Sequence, residues 1–172
     1  FSKLIGYIFV FLFMATASLA NVSYTNETRT LRVAGPTTAH QVAQAKKILH
    51  DEDVLTVEME GYGGDYYAGL FLGRAIHEEG VTVFVKEGEV CVSACAIAAL
   101  AGHVVIVDGQ LLFHAPYFMR VPSMATILEI SQKLGEGYID LTMYFIDIGV
   151  TVHFASSIIR NTTHCKFLVV ED

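Results

Sequence analysis

Apolar and polar residues follow two alternating periods along the chain, which predicts strands and helices in turn. Short stretches rich in Val, Leu and Ile are bounded by Gly, Pro or Asp, as strands are, and longer stretches repeat apolar residues every three or four positions, as helices do. The predicted strands are residues 30–33, 54–60, 81–85, 104–107, 111–113 and 167–170. The predicted helices are residues 37 or 38 to 50, 66–79, 93–101, 123–147 and 151–160. This order predicts an α/β fold: a mainly parallel sheet with right-handed crossovers, flanked by helices.

A lead-in and two connections are also predicted from the pattern. Residues 21–29 are polar and are expected to be a loose lead-in. The Asp-Gly pair at 108–109 predicts a tight turn that joins the strands on either side of it as neighbours. Pro116 and Pro122 are expected to bracket a loop before the long helix.

The N-terminal twenty residues have the layout of a secretory signal. Lys3 precedes an apolar run from Leu4 to Ala20, which ends in small residues and turns polar at Asn21. The alternative is an uncleaved membrane anchor, although seventeen residues are at the short limit for a span. We therefore expect a signal peptide at 1–20 and a single domain at 21–172, truncated at its C-terminus. The mature protein is expected to be exported, periplasmic or secreted, and to contact a membrane only through the N-terminal segment if that segment is retained.

Composition excludes some classes of function. Hydrophobic residues make up 53% of the chain and charged residues 17%, which is too apolar for a disordered segment. The formal net charge is -7 and no run of Lys or Arg occurs, so binding to nucleic acid by phosphate neutralisation is not expected. Three cysteines are too few for a disulfide scaffold.

Residues 61–65, Gly-Tyr-Gly-Gly-Asp, follow one predicted strand and precede a predicted helix. Paired glycines allow a backbone with positive φ and close approach of a ligand. Their N–H groups are suited to binding a developing negative charge. The alternative interpretation is a plain tight turn. The spacing is not that of a dinucleotide fingerprint, so a nicotinamide cofactor is not predicted.

Two further residues are candidates for nucleophilic catalysis. Ser93 stands where a strand leads into an Ala-rich helix, as either a nucleophile or an N-cap. His114 ends an apolar strand two residues before Pro116, as either a general base or a hydrogen-bonded core residue. If both lie at the same edge of one parallel sheet, they form a Ser–His pair together with the glycine turn.

In this order the three segments resemble the Clp protease/crotonase superfold, in particular its Clp-like serine peptidase branch with its periplasmic members. In that branch a strand ends in a Gly-Gly turn, matched by Gly63 and Gly64. A nucleophilic Ser then opens a small-residue helix, matched by Ser93, and a His in a His-x-Pro setting follows, matched by His114.

The resemblance covers residues 31–172 and implies specific roles. Ser93 would be the nucleophile and His114 the general base, and the backbone N–H groups of Gly64 and Ala94 would form the oxyanion hole. It implies no metal or organic cofactor. The substrate would be a peptide or an unfolded protein, and the chain would form a homo-oligomer.

The sequence departs from the family pattern at the third member of the catalytic triad. Where the family carries an Asp, residues 160–167 contain none, and Cys165 is nearest to the expected place. Asn161, Asp140 or Asp147 could orient the imidazole, or the site could be a Ser–His dyad. A catalytically inactive Clp-fold module for assembly or peptide binding, and a crotonase-like acyl-CoA enzyme, are the alternative functions.

Cys91 and Cys95 flank the candidate nucleophile four residues apart. The spacing is compatible with a pair of buried thiols or with a disulfide in an exported protein. A metal site is not predicted, because a zinc site needs more ligands than this pair offers. The sequence leaves the thiols and the disulfide open.

Overall fold

The structure is a computed structural model that describes residues 21–115, 126–162 and 168–170. The strands of the described part are β1 Asn21–Thr25, β2 Thr30–Ala34, β3 Thr56–Glu60, β4 Thr82–Val85, β5 Val90–Val92, β6 Val104–Val107, β7 Gln110–Phe113 and β8 Leu168–Val170. Its helices are α1 Ala39–Asp51, α2 Tyr66–Glu79, α3 Ala94–Ala99, α4 Ile127–Asp147 and α5 Val152–Asn161. The predicted α/β class, mainly parallel with flanking helices, is confirmed.

The larger sheet has five strands in the order β1-β2-β3-β4-β6. Its last four strands are parallel, as βα and βαβ connections require, and β1 pairs with β2 in the antiparallel direction. Alternate residues of β2 and β3, such as Leu31 and Val57, are fully buried and belong to one core with Leu49 of α1 and Ile76 of α2. Burial therefore alternates along these strands with the same period of two as the apolar residues in the sequence.

A second, smaller sheet has the order β5-β7-β8, so the prediction of one sheet was wrong. The strand β5 pairs in parallel with β7, and β8 pairs with β7 in the antiparallel direction. The predicted turn at 108–109 does not join neighbouring strands: the N–H groups of Asp108 and Gly109 both donate to the carbonyl of Val85, at 2.9 and 3.0 Å, as the chain passes from one sheet to the other.

The lead-in predicted at 21–29 was also wrong in its first part. Residues 21–25 form β1 and pair with β2 over five positions, from Asn21 opposite Ala34 to Thr25 opposite Thr30. Polar side chains suit this strand because three of its five residues are exposed and, among the strands that the structure describes, it is at the edge of its sheet.

The long helix α4 lies against α2 and reaches α3. Its N-terminus has a capping box, in which the hydroxyl oxygen of Thr126 accepts from the N–H of Glu129 and the carboxylate of Glu129 accepts from the N–H of Thr126. The buried Tyr144 hydroxyl donates to the carbonyl of Ile97 in α3 at 2.9 Å. It passes directly over Gly73 of α2, where an added Cβ would lie 1.9 Å from that hydroxyl oxygen.

Several sequence-based expectations fall on residues outside the described part. They are the signal at 1–20, the loop bracketed by Pro116 and Pro122, and Cys165. Within the described ranges, none of the helices combines the length and the apolar character that crossing a bilayer requires.

Candidate active site

The two sheets join directly after β3, and the candidate site lies at this junction. The N–H of Gly61 donates to the carbonyl of Val90 at 2.8 Å, and the N–H of Val92 donates to the carbonyl of Gly61 at 2.9 Å. The glycine turn that follows β3 is thereby attached to β5, the strand that leads to the candidate nucleophile.

Ser93 and His114 follow two paired strands. In the parallel ladder Val92 lies opposite Leu112, and the N–H of Ser93 continues the ladder by donating to the carbonyl of Leu112 at 2.8 Å. His114 is the first residue after β7. The structure therefore brings Ser93, His114 and the glycine turn to the carboxyl ends of neighbouring strands, although these strands belong to two sheets.

The backbone of Ser93 makes a sharp turn from strand to helix. Its φ is 58° and its ψ is -121°, a conformation that costs a non-glycine residue about 1–3 kcal/mol. The residue stands at the N-cap position of α3, but its side chain makes no capping hydrogen bond. The N-cap alternative therefore does not account for this serine. A strained strand-to-helix turn that exposes a serine hydroxyl is the geometry of a nucleophile elbow.

Gly63 packs directly against this turn. Its φ is +81°, and an added Cβ would lie 2.7 Å from the Cβ of Ser93 and 2.6 Å from the carbonyl oxygen of Val92. Only glycine allows the two segments to come this close, so the paired glycines are more than a plain turn.

The direction of the Gly64 N–H follows from the hydrogen bonds of its neighbours. The N–H of Thr37 donates to the carbonyl of Gly63 at 2.9 Å, and the N–H of Asp65 donates to the carbonyl of Thr37 at 2.9 Å. Because the carbonyl and the N–H of a trans peptide point in opposite directions, the N–H of Gly64 points away from Thr37. Sequence reasoning missed Thr37, because its contribution comes from the backbone and leaves no signal in the residue type.

The N–H of Ala94 points out of the start of α3. The carbonyl of Ser93, in the same peptide unit, accepts from the N–H of Ile97 at 2.9 Å and so points along the helix. Among the described residues no acceptor receives a hydrogen bond from the N–H of Ala94 or from that of Gly64. Gly64 is exposed, whereas Ala94 is only 1% exposed.

His114 is half-buried, and its Nδ1 lies 2.8 Å from the carbonyl oxygen of Ala115. A carbonyl oxygen can only accept, so this contact requires a hydrogen on Nδ1 and leaves the lone pair of the neutral ring on Nε2. The carbonyl of Ala115 is a second functional group without a sequence signal.

The candidates for a third catalytic residue lie on α4 and α5. Asp140 accepts a hydrogen bond from the Tyr67 hydroxyl at 3.1 Å, and Asp147 accepts one from Nη1 of Arg74 at 2.6 Å. Both carboxylates thus connect α4 to α2. Asn161 is the exposed last residue of α5.

Cys91 and Cys95 form a disulfide, with their Cα atoms 5.2 Å apart. Of the two alternatives that the sequence left open, the structure therefore has the disulfide and not a pair of buried thiols. Both residues are at most 2% exposed. The spacing of four around a strand-to-helix junction was the signal for this bond.

Comparison with known proteins bears on the fold. A solved structure of a mutant form of ClpP1 from Listeria monocytogenes is similar to the chain, with a TM-score of 0.61 and 17% identity, over 84% of this chain and 84% of that chain. No protein-family model matches the sequence, and no curated protein matches it significantly. At this identity the likeness is one of architecture. The chain has the Clp/crotonase-like fold that its three motifs led us to expect.

Proposed function

We propose that the protein is a Clp-like serine peptidase in which Ser93 is the nucleophile and His114 the general base. The observation that carries the proposal is the backbone of Ser93. A strained non-glycine residue, with a side chain that does not cap the helix it opens, has no evident stabilising role. Its position beside Gly63 and after the strand paired with β7 supports a catalytic role instead.

The reaction uses groups at the carboxyl ends of the strands. Nε2 of His114 accepts the proton of Ser93 as Oγ attacks the peptide carbonyl, and His114 then gives this proton to the leaving amine. The N–H groups of Gly64 and Ala94 donate to the oxyanion of the tetrahedral intermediate, each worth about 10²–10³ in rate. Water then hydrolyses the acyl-enzyme by the same path. The carbonyl of Ala115 accepts from Nδ1 and keeps the imidazole in the tautomer that this step needs.

A fluorophosphonate probe tests the proposal, because only an activated serine is labelled. The wild type should be labelled at Ser93 and should cleave denatured, fluorescently labelled casein. Ser93→Ala and His114→Ala should lose both activities, with turnover falling by about 10⁶-fold. Ser23→Ala, at an exposed serine on β1, is the matched control and should behave as the wild type.

Absence of labelling in a folded wild-type protein would contradict the peptidase and favour the inactive Clp-fold module. Labelling that survives in Ser93→Ala would place the nucleophile elsewhere. The acyl-CoA alternative would give turnover of a thioester that does not depend on Ser93.

We also propose that the protein is exported, with the mature chain beginning near Asn21. The apolar run that ends in small residues supports cleavage. The disulfide supports an oxidising compartment, because such bonds persist in secreted and periplasmic proteins. N-terminal sequencing of the protein recovered from the cell exterior or periplasm should begin at or next to Asn21. Recovery of the intact 4–20 segment in the membrane fraction would contradict cleavage and favour an anchor.

A further inference from the structure

The disulfide and the candidate nucleophile lie in the same five-residue segment. Cys91 is in β5, two residues before Ser93, and Cys95 is in α3, two residues after it. We propose that the Cys91–Cys95 disulfide is a positioning element for Ser93, and that the enzyme is active only while this bond is formed. This inference rests on the proposed peptidase function.

The bond holds together the two ends of the sharp turn. Four Cα–Cα steps separate the cysteines, and a fully extended chain would span about 13 Å over them. Their Cα atoms are 5.2 Å apart, so the chain reverses direction between them with Ser93 at its apex. Loss of the bond removes the covalent constraint that keeps the ends of this turn close.

A residue keeps a strained conformation only when several surrounding contacts hold it there. On one side the N–H of Ser93 donates to the carbonyl of Leu112, and on the other its carbonyl accepts from Ile97. These are two single hydrogen bonds, one to β7 and one within a six-residue helix. The disulfide joins β5 to α3 covalently across Ser93, which is why we assign it the larger share in fixing the turn.

The size of the loop argues that the effect is local. A disulfide stabilises a fold mainly by restricting the unfolded chain, and this effect grows with the length of the loop that it closes. The loop here is among the shortest that a disulfide can close. Its removal should therefore disturb the turn around Ser93 more than it disturbs the stability of the whole fold.

Burial makes the bond durable. Cys91 is 0% and Cys95 2% exposed, so a reductant must wait for α3 to open locally. A dithiol such as dithiothreitol then supplies two electrons and two protons: the S–S bond breaks, two cysteine thiols form, and the dithiol closes to its own cyclic disulfide. We expect slow reduction and a stable, active oxidised enzyme.

The test compares oxidised wild type, wild type reduced with dithiothreitol, and the double variant Cys91→Ala/Cys95→Ala. The readouts are the rate of fluorophosphonate labelling and kcat and KM for labelled casein. Displacement of a catalytic group by about 1 Å costs roughly 10²-fold in rate. We expect a loss of this size in kcat with little change in KM, recovery on reoxidation of the wild type, and no response to dithiothreitol in the double variant.

A matched control separates positioning from general destabilisation. Leu49→Ala removes buried volume at the end of α1, away from the site, and should lower stability without changing the labelling rate of the folded protein. Circular dichroism confirms folding of every variant. A folded, reduced wild type or a folded double variant that labels at the wild-type rate would overturn the inference.

Amide hydrogen exchange makes the result independent of activity. Reduction should lower protection of the Ser93 and Ile97 amides at least about tenfold, because their hydrogen bonds hold the turn, while the Val57 and Val83 amides in the larger sheet stay protected. If the oxidised wild type does not react with the probe, the peptidase proposal fails, and unchanged protection would separately show that the bond does not position Ser93.

Discussion

At the scale of single residues, Ser93 has a backbone that favours glycine and a side chain that does not cap the helix it opens. Two non-glycine residues of the described part have positive φ, Arg29 in the turn between β1 and β2, and Ser93. The residue type does not predict this geometry, because serine rarely has a positive φ. The sequence could place the residue at a strand-to-helix junction, but its strain became visible only in the structure.

The strain predicts a difference between two inactive variants. Ser93→Gly removes the Cβ that makes φ near 58° unfavourable, whereas Ser93→Ala keeps it. After subtraction of the entropy cost of glycine, Ser93→Gly should be more stable than Ser93→Ala by about 1 kcal/mol. Urea denaturation at equal protein concentration measures the difference. Equal stabilities would show that the backbone at this position is not strained.

A charged cluster before β5 predicts a pH effect. The pKa of Glu89 is raised above its ordinary value near 4.5, first by a hydrogen bond with the Glu60 carboxyl group and then by burial, while Arg32 opposes the shift. The folded state therefore holds this proton more tightly than the unfolded state. The resulting stabilisation is complete below about pH 4.5 and is lost as the pH rises through the folded pKa.

Glu89→Gln should remove this pH dependence. Relative to the wild type, the free energy of unfolding of the variant should improve as the pH rises from about 4 to 7, by a few tenths of a kcal/mol, because the side chain is partly exposed and solvent screens it. Glu129 is the control with the opposite sign: hydrogen bonds from Thr126 lower its pKa, so Glu129→Ala should destabilise more at pH 7 than at pH 3. Urea unfolding at each pH measures both, and parallel curves for Glu89→Gln and the wild type would contradict the prediction.

At the scale of elements, the sequence was informative about local structure and uninformative about pairing. The strands β2, β3 and β4 and the helices α1 and α2 were predicted because alternate or helically spaced apolar residues identify them. The strand β1 was missed because only two of its five residues, Val22 and Tyr24, are apolar, and neither is fully buried. The division into two sheets was missed because it depends on the pairing of β5 with β7, some twenty residues along the chain, on which the local pattern carries no information.

The contact of α4 with α2 and α3 predicts a non-additive pair of substitutions. Tyr144→Phe removes the hydroxyl that binds the carbonyl of Ile97 and should cost about 1–3 kcal/mol. Gly73→Ala should cost more, because its Cβ would meet that hydroxyl at 1.9 Å. Combining the two should cost less than their sum, since the phenylalanine lacks the clashing atom. Urea unfolding of the four proteins measures the coupling, and strict additivity would contradict direct contact.

At the scale of the whole molecule, α4 has an apolar stripe on the side away from the core. Ile139, Met143 and Ile146 are more than half exposed and follow one another at spacings of four and three, while Leu141, Tyr144 and Phe145 are buried. A helix that is apolar on two sides is expected to pack against a second protein surface in addition to its own core. We therefore propose that the protein is a homo-oligomer and that this stripe contributes to the contact.

Sedimentation at micromolar concentration tests the oligomer. The wild type should sediment as an oligomer, and Ile139→Glu/Ile146→Glu should shift it towards monomer, because a carboxylate in an apolar contact is costly. Glu78→Lys, an exposed charge change on α2, should leave the distribution unchanged. A monomeric wild type, or an oligomer unaffected by the two glutamates, would contradict the role of the stripe.

The strand β6 forms the last strand of the larger sheet in the described part of the chain, and this position has a consequence for solubility. Its sequence is Val-Val-Ile-Val, and Val104 and Ile106 are 50% and 44% exposed. An apolar edge strand is a template on which another strand can add, which is how β-aggregation begins. The edge is only four residues long, and the charge of Asp108 ends it, so the hazard is limited in the folded protein. We expect this stretch to be the first point of aggregation between chains during refolding, before the sheet is complete.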